Sequence, residues 1–212
     1  DTLKQYLQLG DRPVLAHTLS AFERAGSIDA IILAIDPLEE DYIKNEIINR
    51  YGIQKPIYFV PGGPQRQQSV ANALDYIGQG DLVLIHDGVR PLVSPKVIEQ
   101  TIIAAREYGA AAAGMPVKDT IKKVNKDGFV LSTPDRSTLW QIQTPQAFKL
   151  DLIKAAHKRA KRDGHMATDD SSLVERLGQP VKLVEGGYHN IKITTREDIE
   201  IAQELLKTGV YT

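Results

Sequence analysis

Short apolar runs alternate along the sequence with longer stretches in which apolar residues recur every three or four positions. The short runs are rich in β-branched or small residues and are bounded by Gly, Pro or Asp, which is typical of buried strands. They occupy residues 28–35, 57–60, 82–86 and 110–115. The longer stretches predict amphipathic helices at residues 13–22, 38–51, 66–77 and 95–108. This alternation predicts an α/β domain with a mostly parallel sheet covered on both faces.

The last part of the chain continues this pattern less regularly. Helices are predicted at residues 149–162 and from Thr168, and strands at residues 181–184 and 190–193. A final helix is predicted after the segment Thr194-Thr195-Arg196-Glu197, which has the spacing of a capping box.

Residues 118–133 break the alternation of strand and helix. Their pattern is strand, Asp127-Gly128 turn, strand, with lysines between the apolar residues. A hairpin of this kind cannot bury both faces within its own domain. We expect it either to lie on the surface or to reach a partner, and we favour a protruding arm in a dimer.

The length and charge of the chain narrow the class of protein. A chain of 212 residues fits one ordinary domain or two very small ones, and we assign residues 1–212 to a single domain. The formal net charge of -1 gives no basic field for nucleic acid or an anionic membrane. Cysteine is absent, and no apolar run approaches the roughly 20 residues that span a bilayer. These features predict a cytoplasmic protein.

The residues that follow the predicted strand at 57–60 are candidates for a binding site, because ligands of parallel sheets bind at the carboxyl ends of strands. Gly62 and Gly63 come directly after this strand, and Ser69 lies on the first turns of the next helix. Glycines let backbone N–H groups approach a ligand, and a helix N-terminus favours anions. Without further information, the same residues also fit a tight turn between strand and helix.

The segment after the strand at 82–86 places Asp87 three residues before Arg90. A carboxylate can face a cation while a guanidinium binds phosphate with two N–H groups, so the pair could hold a metal–phosphate group. Alternatively, the two side chains form a local ion pair that fixes the loop.

Three further cations, Lys4, Arg136 and Lys192, lie in comparable positions near predicted loops or strands. Lys192 alternates with apolar residues and, taken alone, fits a solvent-facing position on a strand. The histidines lack the spacing of a zinc site, and no Gly-x-Ser-x-Gly elbow is present. A structural zinc site and a serine nucleophile are therefore disfavoured.

Taken in order, the motifs resemble those of the methylerythritol phosphate cytidylyltransferases over essentially the whole chain. Each segment is weak evidence alone, but together they keep the family's order and spacing. They are Lys-Gln-Tyr-Leu from Lys4, Gly-Gly-x-x-Arg-x-x-Ser-Val from Gly62, His-Asp-Gly-x-Arg-Pro from His86, Pro-Val-Lys-Asp-Thr-Ile-Lys from Pro116, Leu-Trp-x-x-Gln-Thr-Pro-Gln-Ala-Phe from Leu139, Thr-Asp-Asp-x-Ser-Leu-Val-Glu from Thr168, and Val-Glu-Gly-x-x-x-Asn-Ile-Lys-Ile-Thr-Thr from Val184.

The resemblance implies a Rossmann-like nucleotidyltransferase fold, a three-layer sandwich with a mixed sheet. It also implies a homodimer held partly by a hairpin arm at residues 117–138. The implied reaction joins CTP to 2-C-methyl-D-erythritol 4-phosphate in the non-mevalonate isoprenoid pathway. It would give 4-CDP-2-C-methyl-D-erythritol and pyrophosphate, with Mg²⁺ or another divalent cation.

The resemblance further implies a role for each motif residue. Lys4 and Lys192 would be catalytic, and Asp87 would lie near the metal. The nucleotide would be bound by Lys4, Gly62, Gly63, Ser69, Asp87 and Gly88. The substrate phosphate or polyol would be held by Asp87, Arg90, Thr120, Arg136, Thr144 and Lys192. Thr120 and Arg136 flank the arm, so we expect them to reach the site of the neighbouring subunit.

The sequence departs from the family's pattern in three places. Members of the family begin with a strand and a glycine-rich loop, Ala-Ala-Gly-x-Gly-x-Arg, whereas this sequence starts at the lysine motif with Leu3 before Lys4. We therefore expect a longer protein, and expect residues 1–212 alone to be inactive. Pro64 and His189 stand where relatives can have acidic residues, which affects one cytosine contact and one substrate contact.

Two other functions stay open at this point. One is a ribitol 5-phosphate cytidylyltransferase, which has the same fold and shares the lysine, glycine and Asp-x-x-Arg motifs. The segments 168–175 and 190–195 favour the methylerythritol enzyme over it. The other is a non-catalytic CTP-binding module, suggested by the glycine-rich loop that this sequence does not contain.

Overall fold

The first half of the chain alternates between strand and helix as the sequence predicts. The computed structural model describes residues 3–209. In chain order, the elements are the 3₁₀ turn Lys4–Tyr6, β1 (Gln8–Leu9), β2 (Arg12–Pro13), α1 (Val14–Arg24), β3 (Ile31–Ile35), the 3₁₀ turn Pro37–Glu39, α2 (Glu40–Tyr42), the π-helical segment Ile43–Asn49, β4 (Ile57–Pro61), α3 (Arg66–Tyr76) and β5 (Leu82–Ile85).

The second half contains the arm and the remaining helices. Its elements are α4 (Pro95–Tyr108), β6 (Ala110–Pro116), β7 (Lys123–Val124), β8 (Val130–Ser132), the 3₁₀ turn Arg136–Thr138, β9 (Trp140–Lys149), α5 (Leu150–Arg162), α6 (Asp170–Glu175), β10 (Lys182–Glu185) and α7 (Arg196–Thr208). The bounds of α4 follow from its caps. The Ser94 hydroxyl accepts a hydrogen bond from the backbone N–H of Val97, and Gly109 ends the helix with a φ of 88°.

The strands of the central layer form a mixed arrangement. The larger sheet has the order β10–β6–β9–β5. β10 and β6 are parallel, while β9 is antiparallel to both of its neighbours, so that β5, β6 and β10 point the same way. β3 and β4 form a separate parallel pair. The predicted mostly parallel mixed sheet is therefore confirmed.

Helices cover both faces of this layer, as the residues of β5 illustrate. Leu82 and Leu84 pack against a cluster that contains Phe22 of α1 and Ile98 of α4. Val83 and Ile85 face the other way, against a cluster built largely from α3, α5 and α6. Alternate residues of one strand thus reach opposite helix layers, as the pleat of a strand requires. The three-layer α/β sandwich is confirmed.

The strand β9 was not predicted from the sequence. It lies between β5 and β6, yet its segment Thr144–Pro145–Gln146 reads as polar and contains a proline, which argues against a central strand. Gln146 is buried all the same, because its side chain bonds to Asp169 and to the backbone N–H of Ser171. The strand was missed because the prediction relied on apolar runs, whereas the buried polar groups of β9 are hydrogen-bonded.

The predicted strand at residues 190–193 is wrong. This segment forms no strand, because it is held by hydrogen bonds from side chains and not by pairing with a neighbouring strand. The Asn190 amide donates to the backbone oxygen of Thr144, and the backbone oxygen of Asn190 accepts from Arg90. The backbone N–H of Ile193 donates to the oxygen of Val89 at 2.9 Å.

Two helix predictions need correction in detail. The predicted capping box is displaced by one residue. The Asp198 carboxylate, rather than that of Glu197, accepts the backbone N–H of Thr195 at 2.8 Å and caps α7.

The helix predicted at residues 38–51 is present, but its segment Ile43–Asn49 is π-helical. Its apolar residues Ile43 and Ile47 are fully buried, as the pattern required.

A hairpin forms in the segment where the sequence predicts one. β7 and β8 are antiparallel, and Gly128 has a φ of 86° in the turn between them. The Asn125 carboxamide oxygen closes this turn by accepting the N–H groups of Asp127 and Phe129. Large apolar side chains on the arm are exposed, most of all Phe129 at 72%. The arm therefore carries unpartnered apolar surface within the described chain.

Candidate functional site

Two loops meet at the carboxyl ends of β3, β4 and β5. One runs from Gly62 to Gln65 and leads into α3, and the other begins at His86, directly after β5. The backbone N–H of Gly62 donates to the oxygen of Ile35 at 2.7 Å, which ties the first loop to the end of β3. Parallel strands thus bring the two predicted glycine and Asp–Arg segments to one edge.

The carboxylate of Asp87 is surrounded by three cations. Its Oδ1 accepts from Arg66 Nε at 2.9 Å, and its Oδ2 lies 3.0 Å from Lys192 Nζ. Arg90 Nε is 3.7 Å from the same Oδ2. Only 12% of the Asp87 side chain is exposed. Asp170 also pairs with Arg66, so three positive groups face two carboxylates and leave one positive charge in excess at this edge of the sheet.

These cations set the protonation state of Asp87. Burial by itself would raise the pKa of this carboxyl, but Arg66 and Lys192 lower the pKa to about 2. Burial alone would likewise lower the pKa of Arg66, yet the carboxylates of Asp170 and Asp87 raise it above its usual value. At neutral pH, Asp87 is therefore a carboxylate and Arg66 a cation.

A closed set of hydrogen bonds fixes the backbone at Asp87. The Thr144 hydroxyl accepts the backbone N–H of Asp87 at 3.0 Å and lies 3.1 Å from His86 Nδ1. The Nε2 of His86 lies 3.2 Å from the backbone oxygen of Arg90, whose own N–H donates to the oxygen of Asp87. Since a carbonyl only accepts, Nε2 carries the proton and Nδ1 accepts from the Thr144 hydroxyl.

The imidazole of His86 stays neutral in this arrangement. Burial lowers its pKa to about 4. The ring also lies against Phe22, with a distance of 5.0 Å between the ring centroids. A neutral ring preserves the acceptor on Nδ1, and this keeps the Thr144 hydroxyl oriented.

Arg90 and Asn190 connect the second loop to the segment that carries Lys192. Arg90 Nη1 donates to the backbone oxygen of Asn190 at 2.7 Å, and the Asn190 amide donates to the oxygen of Thr144. Arg90 Nε and Asn190 Oδ1 are buried without a hydrogen-bond partner. Unsatisfied buried groups are rare, so these two atoms mark a place that is open to further bonding.

The first loop is held by a contact between its glycine and α3. The backbone N–H of Gly63 donates to the Ser69 hydroxyl at 2.9 Å, and the hydroxyl lies 3.3 Å from the oxygen of Gln65. A Cβ at Gly63 would come within 2.4 Å of the Gln68 side chain. The close approach of loop and helix therefore depends on glycine at this position.

The structure brings together most of the residues singled out from the sequence. One cluster contains Asp87, Gly88, Arg90, Thr144 and Lys192. Gly62 and Gly63 lie on the neighbouring loop, and Ser69 lies on the first turn of α3 beside them. The remaining three are exposed, and within residues 3–209 no described hydrogen bond or ion pair joins them to this cluster. They are Lys4 in the first 3₁₀ turn, Thr120 at the base of the arm, and Arg136, which donates to the backbone oxygen of Lys118.

No role was predicted from the sequence for Arg66, His86 or Asp170. All three lie inside the quoted motifs, but nothing in one sequence shows that Arg66 and Asp170, 104 positions apart, form an ion pair. In the sequence, nothing in its spacing distinguished His86 from the other histidines. Its position directly after a buried strand was the one signal that could have singled it out.

Two classes of feature are absent from the described residues. Within residues 3–209, no group of three or more His, Cys, Asp or Glu side chains is placed to hold a metal ion. Across the same range, no helix is long and apolar enough to cross a membrane.

A three-layer sandwich that collects cations where its strands end is the arrangement of an α/β enzyme acting on phosphate-bearing substrates. Comparison with known proteins identifies the family. Residues 1–208 match the family model of 2-C-methyl-D-erythritol 4-phosphate cytidylyltransferase. The chain therefore belongs to that family and is a cytidylyltransferase, an enzyme of the nucleotidyltransferase class.

Individual relatives agree with this assignment. The protein of this name from Syntrophotalea carbinolica is 52% identical over 97% of this chain and 88% of its own length. The crystal structure of 4-diphosphocytidyl-2C-methyl-D-erythritol synthase from Anaerococcus prevotii superposes with a TM-score of 0.90 at 40% identity, covering 97% of this chain and 90% of that one. A Thermus thermophilus cytidylyltransferase structure gives 0.79 at 35% identity, covering 96% and 94%.

Proposed function

We propose that this chain transfers CMP from CTP to 2-C-methyl-D-erythritol 4-phosphate, and that the transfer takes place at the cluster around Asp87. The products are 4-CDP-2-C-methyl-D-erythritol and pyrophosphate. The observation that carries the placement is the convergence of Arg66, Arg90 and Lys192 on one carboxylate at the end of β5.

The chemistry of the reaction needs positive charge more than it needs a base. The attacking oxygen belongs to a phosphate that is already ionised at neutral pH, so no side chain has to remove a proton. Two anions must instead be brought together, and charge must be stabilised on the α-phosphate as pyrophosphate leaves. Lys192 and Arg90 supply that charge for the substrate phosphate, and Thr144 orients the loop beneath them.

The nucleotide occupies the neighbouring loop in this proposal. Gly62 and Gly63 lie just before α3 and Ser69 lies on its first turn, where backbone N–H groups and the helix dipole favour polar and anionic groups. Gly63 and Ser69 read the edge of the cytosine. Gly88 lies near the ribose and α-phosphate, and Lys4 turns from its exposed position to contact the triphosphate.

Asp87 is suited to share a divalent cation with the nucleotide. Mg²⁺ usually keeps several waters and takes one or two carboxylates together with substrate phosphates, so it needs no larger acidic cluster. The low pKa of Asp87 keeps the required charge at neutral pH. When bound, the cation would neutralise part of the charge on the CTP phosphates.

The second subunit of a homodimer completes the site in this proposal. The arm at residues 117–138 exposes Val124, Phe129 and Leu131, which offer an apolar surface to a partner. Thr120 and Arg136 lie at the base of that arm, and both are exposed. They reach the phosphate in the site of the neighbouring subunit. We place the enzyme in the cytoplasm, without nucleic-acid or membrane partners.

The experiment that tests this function is pyrophosphate release by the full-length protein with CTP and Mg²⁺. The alcohol is either 2-C-methyl-D-erythritol 4-phosphate or ribitol 5-phosphate, in parallel reactions. Release that is faster with the methylerythritol substrate supports the proposal. Release only with ribitol phosphate would move the enzyme to a different substrate, and CTP binding without release from either alcohol would indicate a non-catalytic module.

A further inference from the structure

Arg66 joins two carboxylates that belong to distant parts of the chain. Its Nε donates to Asp87 Oδ1 at 2.9 Å, and its Nη1 donates to Asp170 Oδ2 at 2.7 Å. The rigid, planar fork of a guanidinium suits two acceptors at once, which the ammonium of a lysine cannot reproduce. Arg66 therefore links the Asp87 loop to a second element of the fold.

The second element is a buried anchor. Asp170, the first residue of α6, is 1% exposed, and its Oδ1 lies 3.0 Å from His157 Nε2 on α5. His157 is itself buried, at 7% exposure. The adjacent Asp169 is held by Gln146 and by the N–H of Ser172. Packing against α5 and β9 thus leaves the Asp170 carboxylate little freedom to move.

The anchor has a consequence for the geometry of Asp87. Because Arg66 takes Oδ1, the other oxygen, Oδ2, is turned toward Lys192 and Arg90. We propose that Arg66 is a positioning residue for cytidylyl transfer, which holds Asp87 by tying it to Asp170 and His157. This inference rests on the proposed function, in which Asp87 belongs to the reacting site.

Two other roles for Arg66 make different predictions. If Arg66 served only to stabilise the fold, its loss would lower the melting temperature without a specific change in kcat. If it bound a ligand phosphate directly, its loss would raise the KM of that ligand. A residue that acts through Asp87 lowers kcat instead, since a displaced catalytic group can cost roughly 100-fold in rate.

The test compares Arg66→Lys, Asp170→Asn and the double variant in the full-length protein, with pyrophosphate release as the assay. We expect each single variant to lower kcat about 10- to 100-fold, while KM for CTP and for the alcohol changes less than about threefold. The double variant should be no slower than the slower single variant, because both changes break one linkage. Arg159→Lys, in the exposed pair with Asp163, is the matched control and should keep wild-type kcat.

Three results would overturn the proposal: unchanged kcat in Arg66→Lys, a rise in KM that accounts for the whole loss, or independent, multiplying losses in the double variant. A second measurement needs no turnover, so that it separates this idea from the proposed function. The Arg66 Nε–H resonance of the protein without ligands should be well resolved and protected from exchange. It should shift or broaden in Asp170→Asn. An unaltered resonance would show that Asp170 does not hold Arg66, whatever the enzyme's substrate.

Discussion

The hydroxyl of Thr144 connects two parts of the site. It accepts the backbone N–H of Asp87 and donates to His86 Nδ1, and the residue is only 5% exposed. The family resemblance gave Thr144 a contact with the substrate phosphate, which stays a prediction. The hydrogen bonds give Thr144 a structural role as well, since they fix the backbone of Asp87.

Two substitutions at Thr144 separate the contribution of its hydroxyl from that of its methyl group. Thr144→Val should destabilise the fold by about 1–3 kcal/mol, because a buried N–H and a buried ring nitrogen lose their partner. It should also slow turnover. Thr144→Ser keeps the hydroxyl and should retain most activity. Denaturant unfolding together with the rate of pyrophosphate release measures both effects. A valine variant with wild-type stability would contradict the hydrogen-bond assignment.

The neutral His86 predicts how stability changes with pH. Its pKa is about 4 in the folded chain, against an ordinary value of 6.5. Between these values the unfolded chain binds more protons. The contribution of His86 is therefore fully present above pH 6.5 and is lost as pH falls toward 4, by at most about 3 kcal/mol.

The test is the free energy of unfolding between pH 4 and 7 for the wild type and for His86→Gln. Glutamine keeps an acceptor and a donor but does not titrate in this range. We expect the variant to lose less stability than the wild type as the pH is lowered. Parallel curves would mean that His86 titrates normally in the folded protein.

At the scale of elements, the arm has the clearest consequence outside its own domain. β7 and β8 form only a short ladder, while Val124, Phe129, Val130 and Leu131 are all more than half exposed. An isolated two-stranded hairpin is marginal in water, and apolar side chains on both of its strands favour a partner surface. We therefore propose that the arm is part of the interface of the proposed dimer.

The double variant Phe129→Ser, Leu131→Ser should shift the protein from dimer to monomer. It should also lower activity, because Thr120 and Arg136 would lose the neighbouring site. Sedimentation velocity over a range of concentrations measures the oligomeric state. Leu38→Ser is the control, since Leu38 is 91% exposed but lies far from the arm in sequence. Equal sedimentation of arm variant and wild type would remove the arm from the interface.

The elements differed in how well the sequence predicted them, for physical reasons. Strands such as Ile31–Ile35 and Ala110–Pro116 could be predicted because short continuous runs of apolar residues favour buried strands. β9 could not, since its buried polar residues are satisfied only by distant partners. The Asp87–Arg90 loop was found from its place after a strand, but its link through Arg66 to Asp170 exists only in the folded chain.

At the scale of the molecule, the site lies where the four-stranded sheet β10–β6–β9–β5 comes next to the parallel pair β3–β4. Ile31 of β3 and Leu84 of β5 pack on one shared cluster from α1 and α4, although no backbone pairing joins β3 to β5 in the described residues. Arg66 and Asp170, and likewise Arg90 and Asn190, are about 100 positions apart in sequence yet in direct contact. The positive cluster is thus a product of the whole fold.

The central claim is that positive charge gathered at Asp87 promotes the transfer step itself. Its most direct test is the single-turnover rate of the full-length protein at saturating CTP, Mg²⁺ and 2-C-methyl-D-erythritol 4-phosphate. We compare wild type, Lys192→Gln and the exposed control Lys96→Gln. The rate should fall about 100-fold or more in Lys192→Gln and stay unchanged in Lys96→Gln. A Lys192→Gln rate within twofold of wild type would contradict the claim.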